Sequence, residues 1–472
     1  MNENRPFIHL FSTPGGFYIY DVNKNVIIKT QKEIWELLKA EQVNLYENEL
    51  LSRMYAGGFL SSKRIKEIVH PAEDILMYHL DSKIKIITLQ MTQQCNLRCD
   101  YCVYSGGYEN RTHSPKRMDF ETARKCIDFY IEHSRDSDAV TIGFYGGEPL
   151  LEFELIKKCI DYAESMAEGK PLVFTITTNG TLLKENIVQC FAEHDVQLRV
   201  SLDGPREIHD RSRKFAFNNC GTFDKVMENL NMVKDKYPEY YKRISFSTVL
   251  DQENDFSCVN QFFTDYETIK EIGVSASEIT DNYAKNKVGE TEDYHCKLGY
   301  ERFKALLSRV VSFDEKYISK IVATDYSDLQ RIYKQLRPSE GLPEKAHHGG
   351  PCIPGIQRLF VNVDGDMFPC ERVSEFSEVM KIGNIDTGFD LEKVKYLMNV
   401  GKLSEEKCKN CWAFRFCILC GASADSGNGL SGSAKISRCG SVRDIAENNL
   451  KDICILKENR RDFGYDNWLV TM

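Results

Sequence analysis

Residues 91–102 read MTQQCNLRCDYC, which places Cys95, Cys99 and Cys102 within a span of eight residues. Cysteine thiolates hold the irons of cubic iron–sulfur clusters, and a four-iron cluster usually takes four of them. No fourth cysteine lies near this stretch. The spacing therefore predicts a cluster in which one iron is left open to bind another molecule.

Zinc is the alternative metal for these three cysteines. Structural zinc sites usually close with a fourth protein ligand. The nearest histidine, His113, lies eleven residues after the third cysteine. The iron–sulfur interpretation is therefore favoured at this stretch.

The pattern Cys-x-x-x-Cys-x-x-Cys, with the aromatic Tyr101 just before the third cysteine, resembles the radical S-adenosylmethionine (radical SAM) enzymes. The resemblance implies that Cys95, Cys99 and Cys102 form the catalytic cluster site. It also implies that S-adenosylmethionine (SAM) binds the open iron through its amino and carboxylate groups and is cleaved to a 5′-deoxyadenosyl radical. In such enzymes the cofactor performs the difficult chemistry and the protein positions it.

The composition excludes several classes of protein. The 472 residues are 42% hydrophobic and 28% charged with a net charge of -9, which is typical of a soluble globular protein and argues against a nucleic-acid partner. No basic segment followed by a long apolar run opens the sequence, so neither a signal peptide nor a membrane span is expected. The 17 cysteines then indicate metal ligation in a reducing cytoplasm.

Residues 1–80 form the first predicted domain, a winged-helix-like module. The pattern predicts three short strands and then three helices, at Phe7–Phe11, Gly16–Asp21, Val26–Lys29, Gln31–Ala40, Tyr46–Ala56 and Ser61–Val69. This order resembles the leader-recognition element of many peptide-maturing radical SAM enzymes. The resemblance implies that the N-terminal leader of a ribosomal precursor peptide adds a strand to an exposed sheet edge. A structural cap and a dimerisation arm are the alternatives.

Residues 81–280 change to strands that alternate with helices. The predicted strands are Ile84–Met91, Val140–Tyr145, Leu172–Thr178, Gln197–Leu202, Ile244–Leu250 and Val274–Ile279. The helices expected between them include Glu121–His133, Phe153–Ala167, Lys184–His194 and Phe223–Lys236. Such repeats predict an α/β fold with a parallel sheet, and six of them match the partial (β/α)6 barrel typical of the radical SAM family. Chemistry in parallel barrels lies at the C-terminal ends of the strands, where the cysteine motif is placed.

Further polar motifs follow the other strands at this same edge and resemble the SAM-binding segments of the family. The implied cofactor-binding residues are Tyr101, Gly146, Gly147, Glu148, Asn179, Ser201, Asp203 and Arg213. The glycines let backbone approach a ligand, and Glu148 can pair with an ammonium group. Arg213 is the candidate partner of the SAM carboxylate, with a solvated arginine as the alternative.

Residues 281–347 are expected to form a polar helical bridge, and residues 348–472 contain a second group of cysteines: Cys352, Cys370, Cys408, Cys411, Cys417, Cys420 and Cys439. Repeated Cys-x-x-Cys is the usual zinc signature, so a pair of zinc ribbons is the alternative. The group resembles the SPASM extension of radical SAM enzymes that modify peptides and proteins, which implies two auxiliary clusters. Cys417 and Cys420 depart from the commoner pattern, because two residues separate them instead of three.

Carried over by order, the auxiliary cluster nearer the active site takes Cys352, Cys370 and Cys420. The farther one takes the remaining cysteines, Cys408, Cys411, Cys417 and Cys439. With the radical SAM motif this gives three [4Fe-4S] clusters. The nearer cluster has only three assigned ligands; His347 or His348 is a candidate fourth, and a mobile loop is the alternative for that pair.

The three regions together resemble maturases of ribosomally made peptides. The open nearer cluster favours the sactipeptide and ranthipeptide type, which joins a cysteine sulfur to a carbon as a thioether, with flavodoxin or ferredoxin as a suitable electron donor. Formylglycine formation in sulfatases and a carbon–carbon crosslink are the alternatives. In the sulfatase pattern an aspartate base follows the second SPASM cysteine, where this chain has Glu371, a candidate catalytic residue. A non-catalytic iron–sulfur electron carrier is the alternative of another class.

Overall fold

The computed structural model describes residues 5–40, 44–167, 169–311, 313–348, 352–459, 463 and 469–471. Its strands are β1 (Ile8–Thr13), β2 (Gly16–Asp21), β3 (Val26–Thr30), β4 (Glu67–Ile68), β5 (Ile86–Thr92), β6 (Val140–Gly146), β7 (Leu172–Thr178), β8 (Gln197–Ser201), β9 (Ser245–Leu250), β10 (Gly273–Glu278), β11 (Lys345–Ala346), β12 (Leu359–Val361), β13 (Asp366–Phe368), β14 (Gly383–Asn384), β15 (Gly388–Phe389) and β16 (Leu469–Thr471).

The helices alternate with these strands through the middle of the chain. They are α1 (Lys32–Lys39), α2 (Glu49–Ala56), α3 (Leu76–Ser82), α4 (Phe120–Glu132), α5 (Phe153–Met166), α6 (Glu185–Glu193), α7 (Arg206–Ser212), α8 (Phe223–Lys236), α9 (Pro238–Tyr241), α10 (Phe256–Asp265), α11 (Glu292–Leu307), α12 (Ala323–Gln335), α13 (Leu391–Met398), α14 (Glu405–Lys409), α15 (Gly421–Ala424), α16 (Gly432–Ser437) and α17 (Cys439–Glu458). Within the described ranges, no helix is long and apolar enough to cross a membrane.

The central sheet holds six parallel strands in the spatial order β10-β9-β8-β7-β6-β5. Strands covered on both faces are rich in apolar residues, and Ile87, Leu89, Ile142 and Phe144 are accordingly buried. The helices between the strands bury one apolar face each, as α5 does with Ile156 and Ile160. The predicted α/β fold with a six-stranded parallel sheet is confirmed.

The same sheet continues beyond the barrel. Strand β12 pairs in parallel with β5, and β13, β14 and β15 follow as antiparallel strands. The cysteine-rich region thus shares main-chain hydrogen bonds with the first barrel strand.

The N-terminal module consists of an antiparallel sheet, β1-β2-β3, with α1 and α2 packed on one face. Ile19 and Ile28 of the sheet contact Leu38 and Leu51 of these helices in one buried cluster. Strand β16 pairs in parallel with β3, with Leu469 opposite Ile27 and Thr471 opposite Lys29. The edge of β3 is therefore occupied by a segment of this same chain.

The prediction of a third helix in this module, at Ser61–Val69, is wrong. The segment is extended, and its residues Glu67–Ile68 pair with β11. The carbonyl of Ser61 accepts hydrogen bonds from the Phe7 backbone and the Asn23 side chain. It is therefore not paired with a backbone N–H four residues later, as it would be in a helix. Ile65 and Ile68 are both buried, and their helical spacing reflects two separate contacts of an extended chain.

Candidate functional site

The candidate site lies at the C-terminal edge of the parallel strands. The cysteine loop follows β5, the Gly-Gly-Glu turn follows β6, Asn179 follows β7, and Asp203 lies two residues beyond β8. Parallel strands bring these ends together, so loops distant in sequence meet at one edge. Ser201 is half-buried at the end of β8, paired with Ser247 of β9.

The three cysteines of the first motif converge. Burial, assisted by Glu148, Cys99 and Cys102, raises the pKa of the Cys95 thiol well above its usual range. Burial also raises the pKa of Cys99 to about 12, against the opposing effect of the Arg213 guanidinium. Thiols of this kind ionise when cations bind them, so the trio fits an iron–sulfur cluster better than free thiolates.

Two glycines let the turn after β6 lie against the cysteine loop. Gly146 has a φ of +143°, and a Cβ there would lie 2.2 Å from the Thr92 carbonyl oxygen. A Cβ on Gly147 would lie 2.2 Å from the Gln94 carbonyl oxygen and 3.1 Å from the Cys95 nitrogen. Both positions therefore require glycine for the turn to contact the cluster loop.

Glu148 connects this turn to the next strand. Its Oε1 accepts hydrogen bonds from the Leu150 nitrogen at 3.0 Å and the Thr178 hydroxyl at 2.6 Å, and its Oε2 accepts one from the Asn179 nitrogen at 2.8 Å. Burial raises the pKa of Glu148, although these hydrogen bonds oppose the shift. Because a carboxylate offers about four acceptor positions, Oε2 keeps capacity for an ammonium group. Asn179 in turn points its amide nitrogen at the Cys95 sulfur, 3.8 Å away.

Arg213 and Asp203 form a buried ion pair beside the cluster loop. Arg213 donates through Nε at 2.8 Å and through Nη2 at 3.1 Å to the two oxygens of Asp203. The Tyr101 hydroxyl also donates to Asp203, and its ring lies under the guanidinium with the charge 5.5 Å from the ring centre. Three of the predicted cofactor-binding residues thus form one unit, in which Arg213 pairs with protein rather than standing free for a ligand.

A second polar network lies inside the barrel and was not found from the sequence. Arg111 pairs with Glu375 at 2.5 Å, and Gln90 donates to the same carboxylate at 2.7 Å. Arg111 Nη1 also lies 3.4 Å from the hydroxyl of Tyr145. Burial raises the pKa of this hydroxyl, and Cys102 and Glu371 add smaller contributions. A polar residue, Gln90, in the middle of an apolar strand was the one available signal.

Glu371 lies between this network and the nearer group of cysteines. Arg358 donates to its Oε1, and its Oε2 is buried without a hydrogen-bond partner among the described residues. Burial raises the pKa of the neighbouring Cys370 thiol to about 12, and Glu371, Cys352 and Cys420 add to the shift. The three cysteines predicted for the nearer cluster are therefore close together, with Glu371 beside them.

The four cysteines predicted for the farther cluster line one cavity of about 110 Å³: Cys408, Cys411, Cys417 and Cys439. Lys435 and His348 line the same cavity. Lys435 is fully buried and donates to the Ser404 hydroxyl at 2.9 Å and to the Cys408 sulfur at 3.5 Å. A buried ammonium beside four thiols fits a site whose ligands carry negative charge when it is loaded.

His348 lines the cavity of this farther site, and His347 lies next to it. Burial lowers the pKa of His348 to about 2, and both of its ring nitrogens lack a partner among the described residues. His347 accepts a hydrogen bond from the Gly401 nitrogen at 2.9 Å and stacks near His348 with 4.3 Å between ring centres. Neither imidazole is among the main groups that shift the pKa of Cys352 or Cys370, so the described residues show no contact that assigns His347 or His348 to the nearer group.

Residues 89–259 match the model of the Radical SAM superfamily. This is a radical SAM fold. The solved structure described as "Native anSMEcpe with bound AdoMet" superposes with a TM-score of 0.58 at 21% identity, covering 78% of this chain and 98% of that one. The likeness at that identity is one of fold.

Two curated relatives align with part of the chain. A serine-type anaerobic sulfatase-maturating enzyme of Bacteroides thetaiotaomicron is 37% identical over 144 residues, 30% of this chain and 34% of that protein. The radical SAM cyclopropyl synthase TigE of Paramaledivibacter caminithermalis is 24% identical over 243 residues, 48% of this chain and 49% of that protein. The matches span a third to a half of these relatives, one of which is named a sulfatase-maturating enzyme and the other a cyclopropyl synthase.

Proposed function

We propose that this radical SAM protein is a maturase that joins a cysteine sulfur to a carbon atom within a ribosomally made peptide, giving a thioether. The observation that carries the proposal is the trio Cys352, Cys370 and Cys420. It lies beside Glu371 and offers three thiols where a four-iron cluster takes four ligands. The missing ligand is a place for a cysteine of the substrate.

The cofactors of this proposal would occupy three separate sites. Cys95, Cys99 and Cys102 would hold the first cluster, the trio around Cys370 the second, and the four cysteines of the 110 Å³ cavity the third. When bound, the first cluster and SAM supply a radical that removes hydrogen from an unactivated carbon. Gly147 and Glu148 position the methionine end of SAM at the edge of the barrel.

Glu371 acts on the substrate thiol in this account. Its Oε2 is buried and unpartnered among the described residues, so it is poised to accept a proton. A thiol that ligates a metal gives up its proton outright, which provides the thiolate that carbon–sulfur bond formation needs. Arg358, paired with Oε1, fixes the orientation of the carboxylate.

Formylglycine formation is the second candidate. The placement of Glu371 directly after Cys370 favours it, because the sulfatase pattern has an aspartate base at this position, and the Bacteroides relative is a sulfatase-maturating enzyme. A sulfatase-derived peptide that carries the target cysteine separates the two reactions. Formation of an aldehyde on that peptide would favour this second candidate.

The test of the thioether proposal uses a cysteine-rich precursor peptide, sought among the short open reading frames of the neighbouring DNA. Adding this peptide to the reduced, reconstituted protein is expected to change the electron paramagnetic resonance (EPR) signal of the nearer cluster. Changing the acceptor cysteine of the peptide to serine is expected to abolish both the change and the crosslink. A nearer cluster with four protein ligands, with and without peptide, would contradict the proposal.

Leader recognition by residues 1–80 is part of this proposal. The module shares a buried cluster with the cysteine-rich region, in which Phe11 and Tyr20 pack with Phe414 and Leu450. His9 also stacks on Trp412 with 3.6 Å between ring centres. Deleting the module would expose this core, so a test of leader binding requires a smaller change.

Strand β16 provides that change, because it occupies the edge of β3 that an added strand would use. Truncation after Phe463 is expected to raise the affinity for a labelled leader peptide about tenfold if the edge is free one-tenth of the time in the full chain. Fluorescence anisotropy measures the affinity, with uncoupled SAM cleavage as the control for folding. Equal affinity of the two proteins would place the leader at another surface.

A further inference from the structure

Lys435 is a buried cation without a carboxylate partner. Its side chain is fully buried, and its ammonium group lies 2.9 Å from the Ser404 hydroxyl and 3.5 Å from the Cys408 sulfur. In the part of the chain that the structure describes, no Asp or Glu oxygen forms an ion pair with it. The Ser404 oxygen lies 3.3 Å from the same sulfur, so the three groups form a closed triangle.

A buried ammonium group is costly unless negative charge lies beside it. The groups that can supply this charge are the four thiolates of the farther site, two of which are Cys408 and Cys417. Lys435 also opposes the effect of burial on the pKa of Cys417, so its charge acts on more than one ligand. The charge of Lys435 thus acts on at least two cysteines of the metal site, Cys408 and Cys417.

The nearer group of cysteines has a different environment. Arg358, a cation that acts on Cys352, is about half exposed and is paired with Glu371. Hydrogen bonds to the sulfurs and the net charge near a cluster set its reduction potential, since a cation favours the more negative, reduced state. The two auxiliary sites therefore differ in the charge beside their cysteines, which is one of the properties that set the reduction potential of a cluster.

We propose that Lys435 is a positioning residue that raises the reduction potential of a cluster held by the four cysteines of the farther site. The effect is electrostatic, and it forms or breaks no bond. This inference rests on the proposed cluster in the 110 Å³ cavity.

The test is a redox titration of the reconstituted full-length protein, followed by EPR. K435M and K435Q are expected to lower the potential of the farther cluster, while K435R, which keeps the charge, stays near the wild-type value. The potentials of the other two clusters are expected to be unchanged in all variants. K407M is the matched control, because Lys407 lines the same cavity from an exposed position where water screens its charge.

Unchanged potentials in K435M and K435Q would overturn the proposal, and so would a shift in K407M as large as that in K435M. If K435M loses the cluster, the comparison of K435Q with K435R decides in the same way. Iron and sulfide analysis of C408A tests the cluster itself. A full iron content in C408A would contradict the assignment of a cluster to this cavity. If C408A loses iron as expected but the Lys435 variants keep the wild-type potentials, only the role of Lys435 is contradicted.

Discussion

Replacing Cys95, Cys99 and Cys102 together by alanine is expected to abolish SAM cleavage and to remove one of three four-iron clusters. The three thiols converge at the edge of the barrel and are the ligands of the first cluster in this account. The measurement is the yield of 5′-deoxyadenosine under reducing conditions, together with the iron and sulfide content of the protein.

The matched control for this change is C220A. Cys220 is exposed and lies outside both groups of cysteines, so its loss is expected to change neither the iron content nor the cleavage. Residual cleavage in the triple variant would contradict the assignment. Zinc in place of iron and sulfide in the wild-type protein would contradict it as well.

D203N is expected to lower the free energy of unfolding by about 3–5 kcal/mol, because it leaves the buried Arg213 without a counter-charge. The double variant D203N/R213M is expected to be more stable than D203N alone, since it removes the unpaired charge. Urea unfolding measures both. D224N is the exposed control, because Asp224 pairs with Arg206 at the surface, and it is expected to leave the free energy of unfolding nearly unchanged.

The same pair gives a pH dependence of known sign. Burial alone would raise the pKa of Asp203, but Arg213 outweighs it and holds that pKa below its usual range. The pair therefore contributes stability at pH values above the usual pKa of an aspartate, and this contribution is lost as the pH falls through the lowered value. A double variant less stable than D203N would contradict the idea that Asp203 serves to neutralise Arg213.

The sequence predicted the parts of the fold that depend on local pattern. The period of apolar residues located the strands, and strands Leu172–Thr178 and Gly16–Asp21 have the expected bounds. Gly146, Gly147 and Asn179 were found by their resemblance to the SAM-binding motifs of the family, and they lie where β6 and β7 end. The error at Ser61–Val69 comes from the local pattern: Ile65 and Ile68 have helical spacing, but long-range partners bind the backbone in extended form.

The groups that the sequence did not predict are those whose partners are distant along the chain. Arg111 and Glu375 meet inside the barrel because β12 brings the cysteine-rich region alongside β5. In the sequence, Lys435 looks like any surface lysine. In the structure, α16 places its ammonium group against the hydroxyl of Ser404. Strand β16 was not predicted either, because nothing in its three residues identifies β3 as its partner.

The most direct test of the central claim is the mass of the precursor peptide after reaction. A short cysteine-rich open reading frame from the neighbouring DNA is co-expressed with the protein under anaerobic conditions, and its peptide product is analysed by mass spectrometry. A thioether joins sulfur to carbon with the loss of two hydrogens, so the account predicts this loss for each crosslink and fragments that place it at a cysteine. A peptide of unchanged mass, or one in which the cysteine side chain has become an aldehyde, would contradict it.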